Sequence, residues 1–314
     1  LVVGYEVAIR AGIALHATAC DYHTSGAWGA LGVAAIGARS MRLDPAATRE
    51  ALGIAEYNGP RSQMMRCIDY PTMVKDGSGW GAMAGVVAAF LARDGFTGAP
   101  AVTVEGEEVR GLWADLGVRW RLSEQYMKPY PVCRWAQPAI EAAAQLQRDH
   151  GVAADTVRSI HVRTFREASK LAVRAPATTE QAQYSLPFPV AALLSRGRLG
   201  AGEIEGAGLR DEAVLSLAQR VELVEDPRFS SRFPAERWAV VKLILADGDV
   251  LVSQPAVARG SAENPLSDEE VSGKFNSLLQ ESGFGARAAP IEELVLSLES
   301  LPDARTLFAE LSRP

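Results

Sequence analysis

Gly26-Ala27-Trp28-Gly29-Ala30-Leu31-Gly32-Val33-Ala34-Ala35-Ile36-Gly37-Ala38 is the stretch that decides the fold. It is apolar throughout, and nine of its 13 residues are glycine or alanine. Glycine costs about 0.5–1 kcal/mol in a helix relative to alanine. Several in one helix therefore point to a neighbouring helix in close backbone contact. The run is 13 residues long, as is Trp80 to Ala92. A membrane span needs about 18 or more, so both read as core helices of a protein with no membrane segment.

Outward from this run, the first third of the chain reads as helical. Val3 to Ala19 repeats apolar residues with a helical period. Asp44-Pro45 opens a helix to about Tyr57, with Asp as N-cap and Pro at the first helical position. Gly77 to Arg93 is a further helix, ended by Asp94-Gly95. The middle of the chain alternates instead. Val118 to Leu122 and Ser159 to Thr164 read as strands. Pro138 to His150, Thr178 to Arg196 (interrupted by Pro187 and Pro189) and Asp211 to Gln219 read as helices. Asp247-Gly248 between two apolar runs predicts a hairpin. Ser267 with Glu270 forms a capping box that opens a helical tail, continued by Ile291 to Leu298 and Asp303 to Leu311. The expected fold is α+β: a mainly helical domain, 1–116 plus 260–314, with an inserted two-layer α+β domain, 117–259.

The chain has 314 residues, 48% apolar, with a net charge of −6. That composition suits a globular protein and excludes wholesale disorder. The acidic balance argues against a nucleic-acid partner. Three scattered cysteines, Cys20, Cys67 and Cys133, make neither a disulfide framework nor a zinc site, and a cytoplasmic setting is expected. The chain opens on Leu1 inside an amphipathic pattern, without a signal peptide, which reads as a cropped N-terminus.

Several catalytic signatures are absent: His-Glu-x-x-His, Cys-x-x-Cys, a Walker loop and Gly-x-Ser-x-Gly. Gly77-Ser78-Gly79-Trp80-Gly81-Ala82 fits a dinucleotide fingerprint, but no strand precedes it, so no cofactor is expected. The stretch from Pro71 to Gly79 is more informative. Unpaired N–H groups and the dipole at a helix start attract anions. Lys75 adds a full charge, and Gly77, Ser78 and Gly79 let backbone approach a carboxylate or phosphate. A solvated lysine at an ordinary helix start has the same residues. His23 stands before a second helix start, with a pKa range suited to proton transfer or a structural place in a loop. Lys128 to Pro138 is a proline-stiffened segment. In it Arg134 can grip a carboxylate bidentately, or the segment is a rigid crossover. Tyr184 and Phe188, four residues apart, are expected to share one helix face.

Taken in order, these segments resemble the 2-methylcitrate dehydratase (MmgE/PrpD) family. The resemblance is carried by Tyr22-His23-Thr24-Ser25-Gly26, Ala51-Leu52-Gly53-Ile54-Ala55, Met73-Val74-Lys75 and Gly95-Phe96-Thr97-Gly98. Lys128-Pro129-Tyr130-Pro131 with Pro138-Ala139-Ile140, Ala182 to Phe188, and Asn264-Pro265-Leu266 complete the series. It implies a homodimer and a helical domain with a lid. It also implies cofactor- and metal-independent chemistry on a small di- or tricarboxylate, at a carbon beside a carboxylate. It places Lys75 and His23 as catalytic residues, and Tyr184 and Phe188 in the pocket lining. Many members carry a histidine where this chain has Gln137. Glutamine cannot act as a general base, so Gln137 is expected to hydrogen-bond the substrate. The implied activity is a hydro-lyase. An epimerase working by the same proton removal and a non-catalytic carboxylate binder are the alternatives.

Overall fold

The computed structural model describes residues 1–313, which divide into two compact units, 1–125 and 126–313. The first is helical. Its principal helices are α1 (Val2–Thr18), α2 (Gly26–Ser40), α3 (Pro45–Asn58), a short α4 (Met64–Asp69) and α5 (Ser78–Arg93). Helix α2 is the centre, packed against α1, α3 and α5. Small residues make this possible. A Cβ added at Gly32 would stand 2.6 Å from the carbonyl oxygen of Gly4 on α1, and Gly81 on α5 meets the carbonyl of Gly26. The core between α2, α3 and α5 is built from Ala30, Ala34, Ala51, Ile54, Ala55, Ala88 and Ala92. Asp44 caps α3 by accepting from Ala47 N–H at 2.8 Å, as its sequence predicts.

The expected strand at Val118 to Leu122 is not formed. Residues 121–124 make a 3₁₀ turn instead. The buried Glu6 of α1 accepts from Arg121 N–H at 3.1 Å and Leu122 N–H at 2.9 Å, so a side chain satisfies the donors a strand would have offered to a ladder. Glu6 also binds Arg10 at 2.7 Å. Burial alone would raise its pKa, but Arg10 and the two N–H groups outweigh it and hold the carboxyl below its usual range.

The second unit is α+β. Its sheet has the order β2-β1-β3-β4, with β5 pairing β3. The strands are β1 (Val157–Thr164), β2 (Val221–Glu225), β3 (Trp238–Leu245), β4 (Val250–Val252) and β5 (Ala256–Val257). The β1/β2 pair is parallel and the others antiparallel. Asp247-Gly248 turns the β3/β4 hairpin, with Gly248 at φ +98°. Ile160, Val162, Val241 and Leu243 are among the fully buried residues of the sheet. Pro138, expected near a helix start, lies in the first turn of Gln137–His150, which ends on Gly151 at φ +62°.

The tail groups with this second unit, whereas its helical composition suggests a return to the first. Local ties explain the grouping. Met127 N–H donates to Gly260 O at 2.8 Å, Arg259 pairs with Glu270 at 2.7 Å, and Lys274 Nζ donates to Lys128 O at 2.5 Å. The capping box of Ser267 and Glu270 is formed.

Candidate active site

Within the first unit a cleft of about 820 Å³ opens at the start of α5. Its walls include Thr24, Pro60, Ser62, Arg66, Cys67, Tyr70, Met73, Val74, Lys75, Gly77, Gly79 and Trp80. The segment before α5 is a tight double turn. Lys75 N–H donates to Thr72 O at 3.2 Å, and Gly77 N–H to Val74 O at 3.0 Å. Lys75 is left-handed at φ +49°, and Gly77 at φ +67°. A left-handed non-glycine residue costs about 1–2 kcal/mol, so something must hold it. Cys67 does so, its thiol donating to Lys75 O at 2.6 Å. Burial, with the nearby Asp76 charge, pushes that thiol up to about 11, so it keeps its proton at neutral pH.

The start of α5 has the general features that attract anions. Gly77 is its N-cap and supplies no side-chain cap. The first-turn N–H groups therefore have no intrahelical partner, and the helix dipole adds to the positive field. Ser25 ties the starts of α2 and α5 together. Its Oγ donates to Asp76 Oδ2 at 3.3 Å and lies 3.1 Å from Ser78 Oγ, while Gly26 N–H donates to Asp76 O at 2.9 Å. Ser78 is thus engaged through its side chain and is not among the lining residues, while Lys75, Gly77 and Gly79 are.

His23 is buried and is not among the residues lining the cleft. Arg61 Nε donates to its Nε2 at 3.3 Å, and its Nδ1 lies 3.0 Å from Asp21 O. Arginine can only donate. Nε2 is then the lone-pair nitrogen, and Nδ1 carries the proton toward Asp21. The His23 backbone N–H donates to His16 Nε2 at 3.3 Å, and the His16 ring stacks on Tyr22 at 4.3 Å.

The remaining predicted residues belong to the second unit. Arg134 is buried. It donates to Gln137 Oε1 at 3.2 Å, Arg259 O at 2.5 Å and Ala258 O at 3.2 Å, and lies 4.3 Å from the Tyr126 ring centroid. Burial lowers its pKa from the usual guanidinium range. Gln137 is fully buried, and its amide donates to Tyr130 O at 3.2 Å and Val132 O at 3.1 Å. Both of its donors are spent inside the protein, where the sequence suggested a substrate contact. Tyr184 and Phe188 do not share one helix face. The helix ends at Gln183 and a new one begins at Pro187, because Ser185 Oγ turns back to accept from Phe188 N–H at 3.1 Å and to donate to Val173 O at 2.5 Å. Phe188 is fully buried and Tyr184 nearly so.

Cleft residues to which the sequence reading gave no site role include Thr24, Ser62, Arg66, Cys67 and Tyr70. No group of three or more His, Cys, Asp or Glu positioned to hold a metal occurs among the described residues. Nor is any described helix long and apolar enough to cross a membrane.

Comparison with known proteins finds a family match for both parts of the chain. The model of the MmgE/PrpD N-terminal domain matches residues 1–116, and that of the MmgE/PrpD C-terminal domain matches residues 130–300. The chain belongs to the MmgE/PrpD family. A similar curated protein is the cis-aconitate decarboxylase-like protein oryM of Aspergillus oryzae, 26% identical over 347 aligned residues, covering 99% of this chain and 70% of the relative. Family and relative together point to an enzyme of the dehydratase or decarboxylase type.

Proposed function

We propose that the protein is a cofactor-independent hydro-lyase acting on a small di- or tricarboxylic acid. One carboxylate of the acid docks at Lys75 and the N–H groups that begin α5. A base removes the proton from the carbon beside a carboxylate. The C–H electron pair becomes the new C=C bond as the C–O bond on the neighbouring carbon breaks, and the hydroxyl leaves as water by taking up the proton that the base has removed. Negative charge grows on the carboxylate during this step, and Lys75 with the α5 dipole stabilises it. His23 is assigned the proton transfer, for which Arg61 must first release Nε2. The observation that carries the reading is the left-handed Lys75 turn, pinned by Cys67 at an uncapped helix start in a large cleft.

A second reading comes from the relative's name, decarboxylation of an unsaturated acid in the same cleft. Proton NMR of the protein in deuterated buffer with a panel of di- and tricarboxylates separates the cases. A new alkene signal with water loss is the expected result. Loss of carbon dioxide from cis-aconitate selects the decarboxylase. Deuterium exchange without an alkene selects the epimerase. Silence across the panel from folded protein contradicts an enzyme and leaves a carboxylate binder.

Homodimerisation and a cytoplasmic location belong to the same proposal. Trp80, Met83, Val87 and Phe90 repeat at helical spacing on α5 and are all exposed, an apolar stripe that suits an interface. Light scattering at twice the 33.6 kDa chain mass is expected, and a monomer at micromolar concentration would contradict it. The three free cysteines, two of them buried, suit a reducing compartment.

A further inference from the structure

Thr24 sits on the cleft wall with a side chain that the fold does not use. Its backbone is fully employed: N–H donates to Ser62 O at 2.8 Å, and its carbonyl accepts from Ala27 N–H at 3.2 Å. Its side chain is not. Thr24 is 1% exposed, and Oγ1 has no hydrogen-bond partner in the chain. Leaving a buried hydroxyl unpaired costs about 1–3 kcal/mol, and buried polar groups are nearly always paired. Valine has the same shape without that cost, so packing alone does not explain a threonine. Other buried side-chain atoms without a partner, such as Glu141 Oε1 and Ser195 Oγ, belong to the second unit. Thr24 is the case on the wall that also carries Lys75 and the start of α5.

Its neighbours in sequence are already committed. Ser25 Oγ is held by Asp76 and Ser78, and the His23 ring by Arg61 and Asp21. The hydroxyl of Thr24 is the polar group in this segment left for a ligand.

We propose that Thr24 is a substrate-binding residue whose Oγ1 hydrogen-bonds a carboxylate oxygen of the bound di- or tricarboxylate, beside Lys75 and the first-turn N–H groups of α5. This rests on the reading of the cleft as the acid site. The hydroxyl then costs the free protein stability and is satisfied only in the complex. That is the pattern by which a binding site trades stability for function. Removing it acts in opposite directions on folding and on binding, which a purely structural threonine would not do.

The test uses Thr24→Val, Thr24→Ser and Lys75→Ala. Citrate and cis-aconitate serve as calorimetric probes, with urea unfolding measured in the absence of acid. Thr24→Val is expected to bind the probe at least tenfold more weakly than the unaltered protein, with an unfolding midpoint no lower. Thr24→Ser keeps the hydroxyl and is expected within threefold. A lower midpoint for Thr24→Val shows that the hydroxyl is already paired in the free protein and overturns the inference. Normal binding by Thr24→Val, while Lys75→Ala loses it, overturns the inference and leaves the cleft reading standing. Normal binding by both variants, or no binding of either probe by the unaltered protein, removes the cleft reading and the inference together.

Discussion

Two segments of this chain look alike as sequence and differ as structure. Pro71 to Gly79 and Lys128 to Pro138 each carry a cation shortly before a helix, stiffened by proline or punctuated by glycine. In the first, Lys75 lines a large cleft, and the helix behind it has no side-chain cap. In the second, Arg134 donates to Gln137 Oε1, and the two side chains donate to four backbone carbonyls, those of Ala258 and Arg259 from Arg134 and those of Tyr130 and Val132 from Gln137. A cation before a helix is therefore not evidence of an anion site by itself. What sets the second segment apart is that Arg134 and Gln137 are turned onto the protein's own carbonyls. An arginine that closes a loop onto its own backbone uses the planar fork that would otherwise grip a carboxylate.

The largest effect that sharpens this contrast concerns Gln137. Gln137→Leu strips the donors from the buried carbonyl of Val132 and the half-buried carbonyl of Tyr130, and the acceptor from a buried guanidinium, so a stability loss of about 3 kcal/mol is expected. Urea unfolding checks it. A loss under about 0.5 kcal/mol, the usual surface value, would show that the network is not holding the loop.

A smaller effect concerns Cys67. Cys67→Ala removes the donor to Lys75 O and is expected to cost about 1 kcal/mol, with Cys67→Ser recovering most of it. The pH dependence has a definite sign. The thiol titrates near 9.0 when unfolded and is pushed up to about 11 when folded. Its contribution is complete below pH 9 and is lost as pH rises toward 11. The stability gap between the unaltered protein and Cys67→Ala should narrow over that window. A gap that stays constant from pH 8 to 11 would remove the thiol from the turn.

The parts of the fold legible in sequence are those fixed by neighbours in the chain. Asp44 before Pro45, Ser267 with Glu270, Gly151 after a helix and Asp247-Gly248 all act within a few residues. The small-residue pattern of α2 also reads correctly, because close helix packing demands it. Distant partners defeat the reading. Val118 to Leu122 has a strand's alternation, yet Glu6 takes its N–H groups from 115 residues away. Strand β2 pairs in parallel with β1 across four intervening α-helices, and nothing within its five residues announces it.

The site divides in the same way. Lys75 and Gly77 are readable because glycine and a helix start carry local meaning. Thr24 and Cys67 are not, since a threonine lacking a partner and a thiol facing a particular carbonyl exist only after folding. Arg134 and Gln137 have partners that only the fold supplies, so their intramolecular bonds could not be read from the sequence.

The most direct measurement is a calorimetric titration of citrate and cis-aconitate into Lys75→Ala and Gln137→Leu, each shown to be folded. The account predicts at least tenfold weaker binding for Lys75→Ala, about 1.4 kcal/mol or more, and binding within threefold of the unaltered protein for Gln137→Leu. Unchanged binding in Lys75→Ala with loss in Gln137→Leu would contradict it, and would move the carboxylate site to the second unit.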